Sequence, residues 1–237
     1  MLEIINFSKK YENGKLAVDN LSLKVNAKDI FAFIGHNGAG KTTTIKSIVG
    51  ILPINSGDIL VDNISVKENA FEAKKRMAYV PDNPDLYENL KAISYLNFVC
   101  DIYQVPTDVR KVEIEKWAKK FEIYDELNNY IASYSHGMKQ KLALISAFIH
   151  SPKVLILDEP FVGLDPKASY LVKQAMIEFC ENGGAIFFST HILEVAEKLC
   201  NKVAIIKDGK LIASGSMEEI TKNHDLEAVF LELTDHE

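Results

Sequence analysis

The sequence predicts an α/β fold: a parallel sheet covered by helices on both faces, interrupted by a helical insertion. Three observations carry this expectation. Beyond Pro152, near-continuous apolar strands alternate with helical stretches, the mark of a sheet buried on both faces. Earlier, the apolar strand "DIFAFIG" runs straight into a Gly-rich loop and a helix. Between these parts the apolar residues switch to helical spacing.

The elements follow in order. The first third reads as short strands, "LEIINFSKKY", "NLSLKV" and "DIFAFIG", with turns at Gly14 and Asn26. After "GILPINSGDILVDN", punctuated by Pro53 and Gly57, "RMAYVP" is a further strand that ends at Pro81. Leu90, Ile93, Leu96, Val99 and Ile102 recur at helical spacing up to Pro106, and Val109, Val112, Trp117 and Phe121 roughly continue the habit. Residues 82–150 therefore read as a helical insertion. The strands return as "KVLILDE", "GAIFFST" and "KVAIIKDGKLIASG".

With 237 residues, 47% of them hydrophobic, the chain can bury a sizeable core in one large or two small domains. Its formal net charge of -6 and pI near 5.6 come with no basic stripe, which disfavours direct nucleic-acid binding. Cys100, Cys180 and Cys200 form no CxxC pair, so neither a disulfide framework nor a zinc site is indicated, and a reducing cytosol is expected. No apolar run approaches the roughly 18 residues of a membrane span, and the N-terminus lacks the pattern of a signal peptide. Any link to a membrane is expected to come through another chain.

"GHNGAGKT", Gly35, His36, Asn37, Gly38, Ala39, Gly40, Lys41 and Thr42, with Thr43 following, fits G-x-x-x-x-G-K-[ST] at a strand end opening a helix. Glycines let the backbone approach phosphates, the N–H groups and helix N-terminus attract negative charge, Lys41 reaches the β and γ phosphates, and Thr42 can ligate magnesium. A ligand-free Gly-rich turn is the alternative. The loop alone does not choose among kinases, GTPases and transport or motor ATPases.

"VLILDEP" places Asp158 and Glu159 at the tip of a buried strand, where carboxylates need a metal or hydrogen-bond partners. Asp158 would hold magnesium through its water shell, and Glu159 could polarise the water attacking the γ-phosphate. Otherwise the pair is an acidic helix cap. "FFSTH" puts His191 at a second strand tip, where it could hydrogen-bond the γ-phosphate or be merely structural, and Ser189 or Thr190 would cap the following helix. Asp165 in "VGLDP" passes, alone, as a turn residue.

This order of motifs resembles the nucleotide-binding subunit of ABC transporters over essentially the whole chain. The resemblance implies a P-loop NTPase (RecA-like) core with an N-terminal antiparallel β subdomain, formed by residues 1–81 and 151–237, and an inserted α-helical subdomain, 82–150. It implies ATP and Mg2+ as cofactors, and ATP hydrolysis. Tyr11 occupies the position of the aromatic that stacks on adenine; read alone, it is an exposed strand-end tyrosine. Asp158, Glu159, Asp165 and His191 match the magnesium-associated aspartate, catalytic glutamate, D-loop aspartate and switch histidine. "YSHGM" matches the signature L-S-G-G-Q, retaining Ser135 and Gly137 but carrying His136 and Met138. Ser135 would offer a hydroxyl and Gly137 a bare N–H to the γ-phosphate of a partner, although a serine-capped helix also explains Ser135. Where the family has glutamine after the strand "MAYVP", this chain has Asp82. An aspartate there would bind magnesium more strongly, or "PDNPD" is a plain surface turn.

By this resemblance the chain is an ATP-hydrolysing subunit that powers a membrane transporter, most like the drug, bacteriocin and bacitracin exporters. It would be cytoplasmic, peripheral on the inner face of the membrane, docked on separate transmembrane subunits. Two ATP-binding subunits, in a homodimer or heterodimer, would pair head to tail. A soluble ABC ATPase such as an iron-sulfur assembly factor is the alternative. A P-loop kinase leaves the signature segment and His191 unexplained.

Overall fold

The computed structural model describes residues 1–222 and 224–235; the last two residues of the segment "DLEAVFLELTDHE", 236 and 237, lie outside the described residues. In chain order, strands β1 (Leu2–Lys10) and β2 (Leu16–Val25) form a hairpin, β3 (Ile30–Ile34) leads into helix α1 (Lys41–Ile48), and β4 (Ser56–Val61) and β5 (Ile64–Ser65) follow. Helix α2 (Ala70–Lys75) precedes β6 (Met77–Val80), after which come α3 (Ala92–Ile102), α4 (Thr107–Lys120) and α5 (His136–Phe148). The chain then alternates through β7 (Val154–Asp158), α6 (Pro166–Glu181), β8 (Ala185–Thr190) and α7 (Leu193–Leu199). The hairpin β9 (Lys202–Lys207) and β10 (Lys210–Ser216) and the helices α8 (Met217–Thr221) and α9 (Leu226–Asp235) complete it.

Two sheets result. One is antiparallel, in the order β2-β1-β4-β5; the other runs β10-β9-β3-β8-β7-β6, parallel except for β10. The parallel strands are buried on both faces because successive side chains point opposite ways. Phe31 and Phe33 of β3, Ile156 of β7 and Phe187 of β8 pack toward the antiparallel sheet and α1. Their neighbours Ala32, Leu157, Ile186 and Phe188 pack on the other side, in one core with the helices of residues 92–148. In that core Trp117 of α4 stacks on Phe148 of α5, ring centroids 4.2 Å apart.

Some elements differ from the expectation. Strand β2 starts earlier, at Leu16, because it pairs along most of β1. Gly57 lies inside β4 at φ +78°, where an added Cβ would collide with the carbonyls of Ile5 and Asn6 at an irregularity in the β1–β4 ladder. Helix α4 forms as expected, but Val109 and Val112 are exposed while Ile114, Trp117 and Ala118 are buried. The step of five residues from 112 to 117 rotates about 140° around the helix, so the two sets cannot share a face.

Candidate active site

The phosphate loop is held at both ends by close packing. A Cβ at Gly35 would strike the carbonyl of Ile206, and one at Gly40 (φ +111°) would lie 2.6 Å from the carbonyl of Ala17. Between them Gly38 (φ +85°) has no neighbour within 4 Å of a would-be Cβ, so it requires glycine for its backbone and leaves open space above the loop. Lys41, buried at the start of α1, donates to the carbonyls of Gly35 (2.7 Å) and His36 (3.2 Å). Burial lowers its pKa, opposed by the charges of Glu159 and Asp158.

Above the loop lies a cavity of about 380 Å³ lined by Tyr11, Lys15, Ala17, Asn37, Gly38, Gly40, Lys41, Thr42, Thr43, Asp82 and Glu159. Tyr11, partly exposed, is positioned by a 3.1 Å hydrogen bond between its hydroxyl and Thr43 Oγ1. The cavity thus brings together residues from the β1–β2 turn, the phosphate loop, the segment after β6 and the tip of β7. Larger pockets exist, one of about 480 Å³ between α3 and α4, but none of the candidate catalytic residues lines it.

Asp158 is the last residue of β7 and is 2% exposed. Its Oδ1 accepts from Ser189 Oγ and, at 3.5 Å, from Thr42 Oγ1. Burial raises its pKa against these two bonds, and the like charges of Asp82 and Glu159 raise it further. The half-buried phenol of Tyr79 is pushed up to about 12, first by burial and then by the charges of Asp158 and Asp82. Glu159 follows with φ +48°, an uncommon backbone for a non-glycine residue. Its N–H donates to Ser189 Oγ (3.1 Å) and to the Ser189 carbonyl (3.2 Å). Glu159 Oε2 in turn faces His191: Nδ1 lies 3.0 Å away and the backbone N–H donates at 3.3 Å.

The donor set of Thr42, Asp158 and Asp82 is too sparse to form a cage, and among the described residues no group of three or more His, Cys, Asp or Glu could hold a metal. One or two carboxylates and a hydroxyl are the protein ligands that magnesium takes, alongside several waters and substrate phosphates. Thr42 and Asp82 line the cavity together with the phosphate loop, and Asp158 lies behind Thr42, its Oδ1 3.5 Å from Thr42 Oγ1.

The other predicted residues lie outside this cavity. Ser135 is the N-cap of α5, its hydroxyl accepting from Met138 N–H at 3.3 Å. Gly137 sits in the first turn of α5 with nothing within 4 Å of a would-be Cβ. Glycine in a helix costs about 0.5–1 kcal/mol relative to alanine, and packing among the described residues gives no reason for it here. Asp165 is the N-cap of α6, accepting from Ala168 N–H at 2.8 Å, and that bond first of all lowers its pKa. Asp82, by contrast, lines the cavity; it is exposed and its carboxylate accepts from Asn83 N–H at 2.8 Å.

One reading is corrected, and two residues acquire a role that sequence reasoning missed. Neither Ser189 nor Thr190 caps α7, whose N-cap is Ile192 without a side-chain bond. Ser189 is instead buried within β8 and supports Asp158 and Glu159, a cross-strand contact set by the parallel β7–β8 register of Asp158 with Ser189. His136, unexplained in the signature-like segment, lies over Gly163, where a Cβ would come within 2.7 Å of its ring. Gly163 (φ +75°) belongs to "VGLDP", so His136 joins the start of α5 to the loop that ends at Asp165. The spacing of residues 136 and 163 holds no signal of that contact.

Comparisons with known proteins converge on one family. The family model described as ABC transporter matches residues 18–162. The uncharacterized ABC transporter ATP-binding protein YhaQ of Bacillus subtilis (strain 168) is 35% identical over 94% of this chain and 74% of its own length. A solved ATP-binding subunit of an ABC transporter superposes with a TM-score of 0.94 at 31% identity, covering 98% of this chain and 99% of that one. The cbiO1 protein of Clostridium perfringens, part of the ABC transporter complex cbiONQ, superposes with a TM-score of 0.81 at 25% identity over 94% of this chain and 90% of its own. The chain therefore belongs to the ABC transporter ATP-binding proteins, a family of ATP-hydrolysing enzymes.

Proposed function

We propose that this chain is the subunit that powers an ABC membrane transporter, an exporter of the drug, bacteriocin and bacitracin type, through ATP-dependent head-to-tail pairing with a second ATP-binding subunit. One observation carries this reading: Tyr11, the phosphate loop, Asp82 and Glu159 line one cavity, whereas Ser135 and Gly137 stand outside it at a helix N-terminus with open space in front of Gly137. A cavity complete on the phosphate side and a bare helix end elsewhere suit a site closed by a second subunit.

Adenine would lie against Tyr11, and the triphosphate against the N–H groups of residues 35–42. Lys41 would leave its carbonyl partners for the β and γ phosphates. When bound, magnesium supplies charge neutralisation between those phosphates; Thr42, Asp158 and Asp82 would hold it. Glu159 accepts a proton from the water that attacks the γ-phosphorus. The bond to the bridging oxygen breaks, and ADP and inorganic phosphate form. His191 keeps Glu159 oriented. Ser135 and Gly137 of the partner subunit would meet the γ-phosphate, with Asp165 beside that interface.

Among the described residues no helix is long and apolar enough to cross a membrane. Docking on separate transmembrane subunits, on the cytoplasmic face, therefore completes the proposal. It is supported by cbiO1, which is part of an ABC transporter complex. The test has two arms. Expressed with its neighbours and extracted in detergent, the chain should co-purify with a polytopic membrane protein and release inorganic phosphate from ATP without any acceptor. Phosphate release with no membrane partner would instead identify a non-transport ATPase.

A further inference from the structure

Helix α9 ends against the phosphate loop. The ring of Phe230 lies 4.9 Å from the imidazole of His36, and the hydroxyl of Thr234 lies 3.4 Å from His36 Nε2. Both α9 side chains are buried, each 6% exposed. The Thr234 hydroxyl donates to the carbonyl of Phe230 at 2.7 Å, so its own proton is committed and His36 Nε2 must carry the hydrogen between them. The Thr234 carbonyl accepts from Lys207 Nζ of β9 at 2.8 Å, which ties this turn of α9 to the central sheet. At its other end, α9 meets α7, the helix that follows His191: Leu226 N–H donates to Glu197 Oε2 at 3.2 Å.

His36 matters to the loop through its backbone. Its carbonyl accepts from Lys41 Nζ and, at 3.1 Å, from Ala39 N–H. Gly35 and Gly40 anchor the loop's ends, but residues 36–38 between them are exposed. The contacts of His36 with α9 grip this middle stretch from outside the loop.

We propose that α9 is a positioning element of the nucleotide site: Phe230 and Thr234 clamp His36 so that the loop is already shaped for the phosphates before nucleotide arrives. This inference rests on the reading of residues 35–42 as the phosphate-binding loop. A preformed loop spares the ordering cost of binding, so the clamp acts on affinity more than on the chemical step.

The test is isothermal titration of the full chain with ADP, together with kcat and KM for ATP. Thr234→Val, nearly isosteric, should weaken ADP affinity about 3- to 10-fold, the worth of one hydrogen bond. The loss should appear in Kd and KM and outweigh any change in kcat, and Thr234→Ser should restore binding. Because the route is His36, the pair His36→Ala with Thr234→Val should bind no more weakly than His36→Ala alone. Phe230→Ala should weaken binding further where the chain still folds; Thr234→Val and His36→Ala decide the matter where it does not. Affinity unchanged within about twofold in Thr234→Val, or losses that multiply in the double variant, would overturn the clamp. Lys41→Ala separates the two ideas. If it abolishes binding while Thr234→Val has no effect, only the clamp fails; if Lys41→Ala binds ADP normally, the loop reading fails.

Discussion

The carboxylate of Glu159 is held on one oxygen by His191, whose Nδ1 lies 3.0 Å and whose backbone N–H lies 3.3 Å from Oε2. Both contacts come from the tip of β8, the strand that also supplies Ser189 to the Glu159 backbone. With Oε2 engaged, Oε1 is the oxygen left to take a proton from an attacking water. His191 thus acts through Glu159, and the two should behave as one unit.

His191→Ala should therefore lower phosphate release, and adding it to Glu159→Gln should change the rate little further, since residues that act together are strongly non-additive. The measurement is steady-state phosphate release for the two single variants and the pair. Losses that multiply would mean that His191 works independently of Glu159.

Asp82 lines the cavity and contributes to the raised pKa of Asp158. Asp82→Ala should raise the magnesium concentration for half-maximal hydrolysis about 10- to 100-fold, the usual cost of losing a supporting group at a metal site. A magnesium titration of activity checks this. An unchanged curve and unchanged turnover would return "PDNPD" to a surface turn.

Gly137 offers a sharper contrast between folding and function. A methyl group there meets nothing within 4 Å among the described residues, so Gly137→Ala should stabilise α5 by about 0.5–1 kcal/mol. If a second subunit's γ-phosphate approaches this backbone, the same change should slow hydrolysis while nucleotide binding to the isolated chain persists. Thermal unfolding and phosphate release on one sample decide it: a more stable protein with full turnover would mean that nothing approaches Gly137. Ser135→Arg and Gly137→Asp should likewise stop hydrolysis without stopping ATP binding.

Much of the architecture and the local parts of the site were legible because they reside in short stretches. The apolar runs of β3, β7 and β8 and the loop "GHNGAGKT" each carry their own pattern of period or spacing. Placing Tyr11 and Asp82 around that loop required the family's order of motifs. What stayed hidden depends on contacts between distant stretches. Ser189 reads as a helix cap until the β7–β8 register sets it against Asp158. His136 and Gly163 meet across the α5–α6 junction, and His36 meets Thr234 across almost the whole chain. Val109 and Val112 mislead because apolar type alone does not fix helical phase.

His150 makes a prediction about pH. Its ring stacks on Tyr103, centroids 3.6 Å apart and 6° from parallel, and its Nδ1 is buried without a partner among the described residues. Burial lowers its pKa to about 4 from an ordinary 6.5. The unfolded chain therefore binds a proton at higher pH than the folded one. The stability this gives is present above pH 6.5 and is lost as pH falls toward 4. At about 1.4 kcal/mol per unit the loss is on the order of 3 kcal/mol. Denaturant unfolding at several pH values should show a decline across that window in the wild type and a smaller one in His150→Phe, which keeps an aromatic ring against Tyr103. Equal declines would locate the acid sensitivity elsewhere.

The most direct test of the account is Glu159→Gln, measured for ATP binding and phosphate release on the same preparation. Binding should persist and release should fall about 10²- to 10⁴-fold, the worth of a positioned general base, with ATP favouring a dimer of the variant. Turnover at the wild-type rate would remove Glu159 from the chemistry and contradict the mechanism.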